Sequence, residues 1–301
     1  MQATPVLTRP ETRAVPIRKW IRSNRSVVAL ALTTWLSATV VRQARHVFAE
    51  ISVSLGGSAN PYLFTRQDHS AKLVHNEDVT TKLEQIVMYL LPHSLSGELN
   101  VCPWSTPGCR KSCLHTAGRL GLGPAEIAKL ARTLFLARHP YLFMVLLMHE
   151  IAMHQRRVAK HGRTLVVRLN GTSDIPFEEL SPWLFDVFAD VLFQDYTKDG
   201  MRGAGLWSRR HDHIPNYYMV RSAHELTPDA LVVSMDTNVV VPVHVRRGDP
   251  LPDTYLGKPV VDGDLHDLRL IDPQGGNVVM VRAKGDGTSD DSGFVRSLCA
   301  V

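Results

Sequence analysis

Three cysteines, Cys102, Cys109 and Cys113, fall within twelve residues of one another in the stretch Asn100-Val-Cys-Pro-Trp-Ser-Thr-Pro-Gly-Cys-Arg-Lys-Ser-Cys113. Three thiolates on one loop can hold a metal ion or an iron–sulfur cluster and leave one coordination position open for chemistry. The spacing is Cys-x6-Cys-x3-Cys. A structural zinc site normally takes two close pairs or a fourth Cys or His, for which His115, His93 or the distant Cys299 would have to serve. An iron–sulfur cluster of the 4Fe–4S type, working with S-adenosylmethionine, needs no fourth protein ligand. Iron–sulfur, zinc and no metal at all remain open readings.

Acids, bases and amides gather at the ends of the strand-like stretches. The stretch 165–170 runs into Asn170-Gly-Thr-Ser-Asp174 and 191–196 into Asp195-Tyr-Thr-Lys198. In the same way 217–221 runs into Arg221-Ser-Ala-His-Glu225 and 231–235 into Asp236-Thr-Asn238. A later segment, Asp262-Gly-Asp-Leu-His-Asp-Leu-Arg269, packs acids, His266 and Arg269 together, and the last strand leads to Lys284. In a (β/α) barrel the C-terminal strand ends form a common rim where polar substrates bind. On that reading Asp195, Lys198, His224, Glu225, His266 and Asp267 are candidates for proton transfer. Gly171, Thr172, Ser173 and Asp174 would contact the cosubstrate, and Asn170, Arg221, Asp236, Asp264, Arg269 and Lys284 the substrate. A single polar loop residue is ordinarily a cap or a turn; the repetition at successive strand ends is the signal.

The elements that must position these groups alternate. Asn76–Met88 reads as a helix with an Asn cap and Leu90–Leu95 as a short strand, followed by the cysteine loop. Pro124–Arg138 and Pro140–Ala159 read as helices with proline in the first turn. Leu165–Asn170, Val191–Tyr196, Tyr217–Arg221, Leu231–Met235, Val239–Val245, Lys258–Val261 and Val278–Arg282 read as strands, with a helix over Ser181–Asp190. The alternation predicts an α/β domain over 61–301 with parallel βαβ units, a complete or partial (β/α) barrel or an open doubly wound sheet. No Gly-x-Gly-x-x-Gly follows the first strand, which weakens a dinucleotide reading.

The chain of 301 residues is 44% apolar and 21% charged, with net charge +5. A mildly basic balance suits an anionic partner, a nucleotide or nucleic acid. Part of the excess is local: Arg9, Arg13, Arg18, Lys19, Arg22 and Arg25 face one acid, Glu11, in a Pro- and Arg-rich stretch that predicts disorder. Residues 1–60 thus read as a basic extension, disordered or helical. Within it Ser26–Val41 is uncharged but short and rich in Ser and Thr. It resembles a signal peptide's apolar stretch and equally suits a buried helix, and no stable membrane association is expected. Clustered cysteines do not form a disulfide framework and suit a reduced, cytoplasmic compartment.

Other motifs are discounted. In His149-Glu-Ile-Ala-Met-His154 the two imidazoles are five residues apart, on different faces of a helix. Met144, Met148 and Met153 read as core. Gly118–Gly123 lacks the Lys-Ser/Thr of a phosphate loop.

The cysteine loop with the glycine-containing acidic loop after the next strand is distantly similar to radical S-adenosylmethionine barrels, although those usually carry Cys-x3-Cys-x2-Cys. A closer likeness covers residues 70–290. Cys102-Pro with Cys109 and Cys113, Arg168-Leu-Asn-Gly-Thr-Ser-Asp174, Asp195-Tyr-Thr-Lys198, Asp264-Leu-His-Asp-Leu-Arg269 with Asp272, and Ala283-Lys-Gly285 resemble the phage gene product 88 domain family. That resemblance implies a phage or mobile-element origin and a cytoplasmic setting in a bacterial host, with no established activity. The expected function is an iron–sulfur, radical S-adenosylmethionine-like enzyme acting on a nucleotide or nucleic-acid base. The alternatives are a structural-zinc hydrolase or transglycosylase acting on nucleic acid, and a non-enzymatic DNA-binding protein, against which the rim of acids argues.

Overall fold

The computed structural model describes residues 14–69, 73–199 and 214–298. Its strands in chain order are β1 (Val15–Pro16), β2 (Phe64–Arg66), β3 (Leu83–Met88), β4 (Leu99–Asn100), β5 (Thr164–Arg168), β6 (Leu192–Thr197), β7 (Tyr217–Ser222), β8 (Val239–Val243), β9 (Thr254–Tyr255), β10 (Lys258–Asp262) and β11 (Val278–Arg282). The helices are α1 (Ile17–Ala29), α2 (Ala31–Thr34), α3 (Ala38–Ser54), α4 (Asn76–Val79), α5 (Pro107–Lys111), α6 (Gly123–Arg138), α7 (Pro140–Ala159), α8 (Phe177–Leu180), α9 (Trp183–Val187) and α10 (Asp229–Ser234).

Nine strands form one sheet in the order β2-β3-β5-β6-β7-β8-β11-β10-β9. All neighbours are parallel except β2 and β9, which pair antiparallel at the two edges. The architecture is α/β with a large, mostly parallel sheet. The sheet is open, so the complete barrel is not formed: β2 and β9 stand at opposite ends and no ladder among the described residues joins them. The order from β3 to β8 follows the chain; beyond β8 it reverses, with β11 lying between β8 and the earlier β10.

Residues paired across a ladder point to the same side. One side carries Ile86, Met88, Leu165, Val167, Phe193 and Tyr217, all in a single core with Phe135, Phe143, Leu146 and Leu147 from α6 and α7. The opposite side carries Gln85, Arg168, Gln194, Tyr196 and Tyr218. Parallel strands buried on both faces read as near-continuous apolar runs; the polar second face is what sets this sheet apart.

The structure revises several expectations. Asn76–Met88 is one turn of helix followed by β3, and no strand covers Leu90–Leu95. Leu231–Ser234 is helical, within α10, which Pro228 caps, and Met235 ends it in extended backbone. Residues 17–29 form α1 instead of a disordered tail, with Ile17, Trp20, Ile21 and Val28 buried along one face. Ser26–Val41 is divided among α1, α2 and α3 and is not one helix. Phe48 of α3 stacks on Phe135, ring centroids 4.9 Å apart, so the extension shares the core of the sheet. Residues 1–13 and Cys299 lie outside the described residues. No helix among the described residues is long and apolar enough to cross a membrane. Met144 and Met148 are core, as the pattern implied.

Candidate functional site at the thiol rim

The chain leaves β3, crosses to the short β4, and enters the cysteine loop, so the thiols stand beyond the C-terminal ends of the parallel strands. Asn100 Oδ1 accepts from the Cys102 N–H at 3.0 Å and fixes the loop's entry. Cys102 Sγ accepts from the His93 N–H at 3.2 Å and lies 3.7 Å from the Thr172 carbonyl, to which its S–H donates. Cys109 sits on α5, whose first turn is capped by Thr106 Oγ1, accepting from the Cys109 N–H at 3.3 Å. Cys113 follows that helix directly.

Three other strand ends close on this loop. After β5, the Asp174 N–H donates to the Val101 carbonyl at 2.8 Å. After β6, the Lys198 N–H donates to Asp174 Oδ2 at 2.9 Å, and its ammonium donates to Ser222 Oγ, at the end of β7, at 2.8 Å. After β7, Glu225 accepts from Thr106 Oγ1 at 2.7 Å and from the Gly108 N–H at 2.8 Å. A fourth clasp comes from beyond β11: Asp290 accepts from Ser112 Oγ at 2.8 Å, Ser292 Oγ at 2.7 Å and the Val295 N–H at 2.9 Å, which hold its carboxyl down to about 2.

Burial, reinforced by the other two thiols, pushes the Cys102 thiol well up. Burial also raises Cys109, with Lys198 opposing and Asp174 and Glu225 adding to the rise. Cys113 rises to about 11 by burial, with Cys109 adding and Lys198 opposing. The three thiols therefore share one electrostatic neighbourhood with Lys198, Asp174 and Glu225. Asp174, half-buried, is pushed up to about 7 by desolvation despite Lys198. His115 falls to about 4 through burial and the Lys129 charge, so its imidazole is neutral near pH 7. His224 is buried and lowered, first by burial and then by Lys198; its Nδ1 accepts from the Leu226 N–H at 3.2 Å.

The other predicted residues are distributed differently. Asp195 is 1% exposed. It accepts from the Asn170 N–H at 2.7 Å, Asn170 Nδ2 at 3.1 Å and Tyr217 OH at 2.9 Å. Asn170 in turn accepts from Ser173 Oγ and the Ile175 N–H, both at 2.8 Å. Asp195 and Asn170 thus shape the 170–175 loop from behind. Gly171 is required there, because a Cβ would lie 2.7 Å from the Met88 carbonyl oxygen and 2.6 Å from the Tyr89 ring. Thr172 Oγ1 donates to the Leu90 carbonyl.

Asp267, His266 and Arg269 belong to a second polar group on the opposite face of the sheet. Arg168 Nη1 donates to Asp267 Oδ2 at 2.8 Å, and its guanidinium lies 4.2 Å from the Tyr196 ring centroid. The Asp267 N–H donates to Asn76 Oδ1 at 2.8 Å, and Gln85 and Gln194 both donate to its carbonyl. Asp272 pairs with Arg269 at 3.2 Å and His266 at 3.5 Å. Asp264 pairs with Lys284 at 2.6 Å and with Arg282. Arg221 is buried, its Nη1 3.3 Å from Met235 Sδ. Asp236 precedes β8 and stands exposed at the opposite end of the sheet from the thiols, because the stretch before it is a helix and not a strand.

Thr106, Ser112, Ser222 and Asp290 were not singled out from the sequence. Each acts through a partner more than twenty residues away, and only the density of Asp and Ser in 290–292 hinted at one of them. His149 and His154 both lie on α7, five positions apart, with His154 buried.

The gene product 88 family model matches residues 62–298, from β2 to the Asp290 clasp. The chain belongs to that family. No curated protein and no solved structure matches it.

Proposed function

We propose that this gene product 88 protein is an iron–sulfur enzyme of the radical S-adenosylmethionine kind, built on a partial (β/α) barrel. One juxtaposition carries the reading. Three thiols on the loop leaving the first parallel strand gather at the C-terminal edge of strands that neighbour one another in chain order, beside the Asn170–Asp174 loop that leaves the second.

Cys102, Cys109 and Cys113 would hold the cluster. The donor set fits in kind: three thiols with an open fourth position, in a buried setting where a bound cation would offset the cost of ionising them. In the pose seen, Cys102 Sγ is turned to protein partners, and among the described residues no three Cys, His, Asp or Glu side chains stand ready to hold a metal. Ligation therefore calls for side-chain rotation within the loop. A bound cluster would supply one-electron reduction of S-adenosylmethionine.

The chain's own residues do the rest. Asp195 and Asn170 hold the 170–174 loop so that its main chain faces the site. Asp174, poised near neutral pH, can accept or release a proton there. Lys198 places a positive charge against the thiols and the incoming ligand. Glu225 anchors α5 and so sets where Cys109 stands. The +5 balance favours a nucleotide or nucleic-acid base as substrate.

A second reading has one specific support: His115, neutral and two residues past Cys113, could give zinc a fourth ligand. The strand-end acids would then do hydrolytic or transglycosylase chemistry. Anaerobic purification with iron, zinc and sulfide analysis separates the two. About four iron and four sulfide per chain, with a brown absorption near roughly 400 nm that Cys109→Ala abolishes, supports the first. About one colourless zinc per chain supports the second. Unchanged metal in Cys109→Ala refutes the site assignment in either.

A further inference from the structure

Residues 14–61 precede the family match, yet part of this stretch reaches the thiol rim. Val15–Pro16 pairs in parallel with Leu99–Asn100, and the Val15 N–H donates to the Glu98 carbonyl at 2.8 Å. Asn100 is the residue whose side chain receives the Cys102 N–H. On the other side of Cys102, the Arg18 guanidinium lies 5.2 Å from the Trp104 ring centroid. Arg18 Nη2 also stands 3.7 Å from Asp199 Oδ2, directly after Lys198. The start of α1 is itself fixed: Ile17 is fully buried, and the Trp20 indole N–H donates to the Ala137 carbonyl at 3.3 Å.

The cysteine loop is therefore gripped just before and just after Cys102 by Val15, Pro16 and Arg18 of the extension. Neither grip is strong alone. The ladder has two residue pairs, and Arg18 is partly exposed. Together they tie the loop to the strand end that carries Lys198.

We infer that the N-terminal extension is a working part of the thiol site, and that Arg18 is a positioning residue holding the Cys102–Trp104 stretch against the end of β6. This rests on the thiols forming the functional site, and not on which metal they hold. Loosening the grip should raise local opening of the loop without unfolding the core, and opening governs how fast half-buried thiols react.

The test is alkylation of the full-length chain with iodoacetamide, followed cysteine by cysteine by mass spectrometry, with iron and zinc measured in the same samples. Arg18→Ala removes the stacking and the ion pair. Val15→Pro removes the donor to Glu98. Arg42→Ala, on the exposed side of α3, is the control. Cys102 and Cys109 should react about five- to tenfold faster in Arg18→Ala and Val15→Pro, with an unchanged melting temperature. Arg18→Lys should be intermediate, since it keeps a cation for Asp199 and loses the planar stack on Trp104. Arg42→Ala should match the parent. Unchanged rates in both Arg18→Ala and Val15→Pro overturn the inference, as does an acceleration that Arg42→Ala shares or that follows a falling melting temperature. Absence of metal would undo the cluster proposal and leave the rate comparison standing.

Discussion

Asp267→Ala should cost the fold about 3–5 kcal/mol, the range for removing one partner of a buried ion pair. The structure says why the cost belongs at that level. Asp267 is 1% exposed and Arg168 nearly buried, with 2.8 Å between Oδ2 and Nη1. Unit charges about 4 Å apart attract by about 4 kcal/mol at an effective dielectric near 20. Without the carboxylate, Arg168 keeps a charge it cannot shed against the Tyr196 ring, with its Nε already lacking a hydrogen-bond partner. Urea unfolding followed by circular dichroism gives the loss directly, and the melting temperature should fall by about 10 °C. Adding Arg168→Met to Asp267→Ala should restore part of the stability, so that the double variant is at least about 2 kcal/mol better than the sum of the single ones. A loss under about 1 kcal/mol, or strict additivity, would refute the reading of Asp267 as a structural anchor. It would return Asp267 to the candidates for proton transfer.

Three further outcomes follow from the same geometry. Gly171→Ala should destabilise by about 1–3 kcal/mol, because its Cβ meets the Met88 carbonyl and the Tyr89 ring; thermal unfolding measures it, and an unchanged melting temperature counts against the close approach. Asp174, raised to about 7 by burial, binds its proton more tightly folded than unfolded, so it lowers stability progressively as pH rises from about 4 to about 7; Asp174→Asn should flatten that part of the stability–pH curve, and an identical curve would contradict the assignment. Alkylation of Cys113 in metal-free protein should keep rising about tenfold per pH unit from pH 7 to about pH 10, since burial raises its thiol to about 11; a rate that levels off between about pH 9 and 10 would show it to be an ordinary thiol.

The alternation of apolar runs with helical stretches made the α/β class legible, and the two long helices after the cysteine loop fall within a residue of their expected starts and ends. Short elements were harder. Asn76–Met88 has apolar residues at spacings that serve either period, and only pairing with β2 and β5 makes its second half a strand. Leu231–Met235 is β-branched and apolar, but the Pro-Asp start and the packing of Val232 made Leu231–Ser234 a helix. The interleaved Arg and Lys of residues 17–29 hid a buried stripe. At the site, the three cysteines, Asp174, Lys198 and Glu225 were legible because each ends or follows a strand. Asp195 and Asp267 look the same in sequence. What separates them from Asp174 is their partners far along the chain, Tyr217 on the core face for Asp195 and Arg168 on the opposite face for Asp267, which no local pattern encodes.

The bond from Ser112 to Asp290 spans 178 residues. At synthesis rates of about 5–20 residues per second, the cysteines leave the ribosome roughly 10–35 seconds before the segment that clasps them. During that interval the thiols are present and held by only part of their final surroundings. The Asp290 clasp closes over the loop last, making the order of synthesis part of the order of assembly.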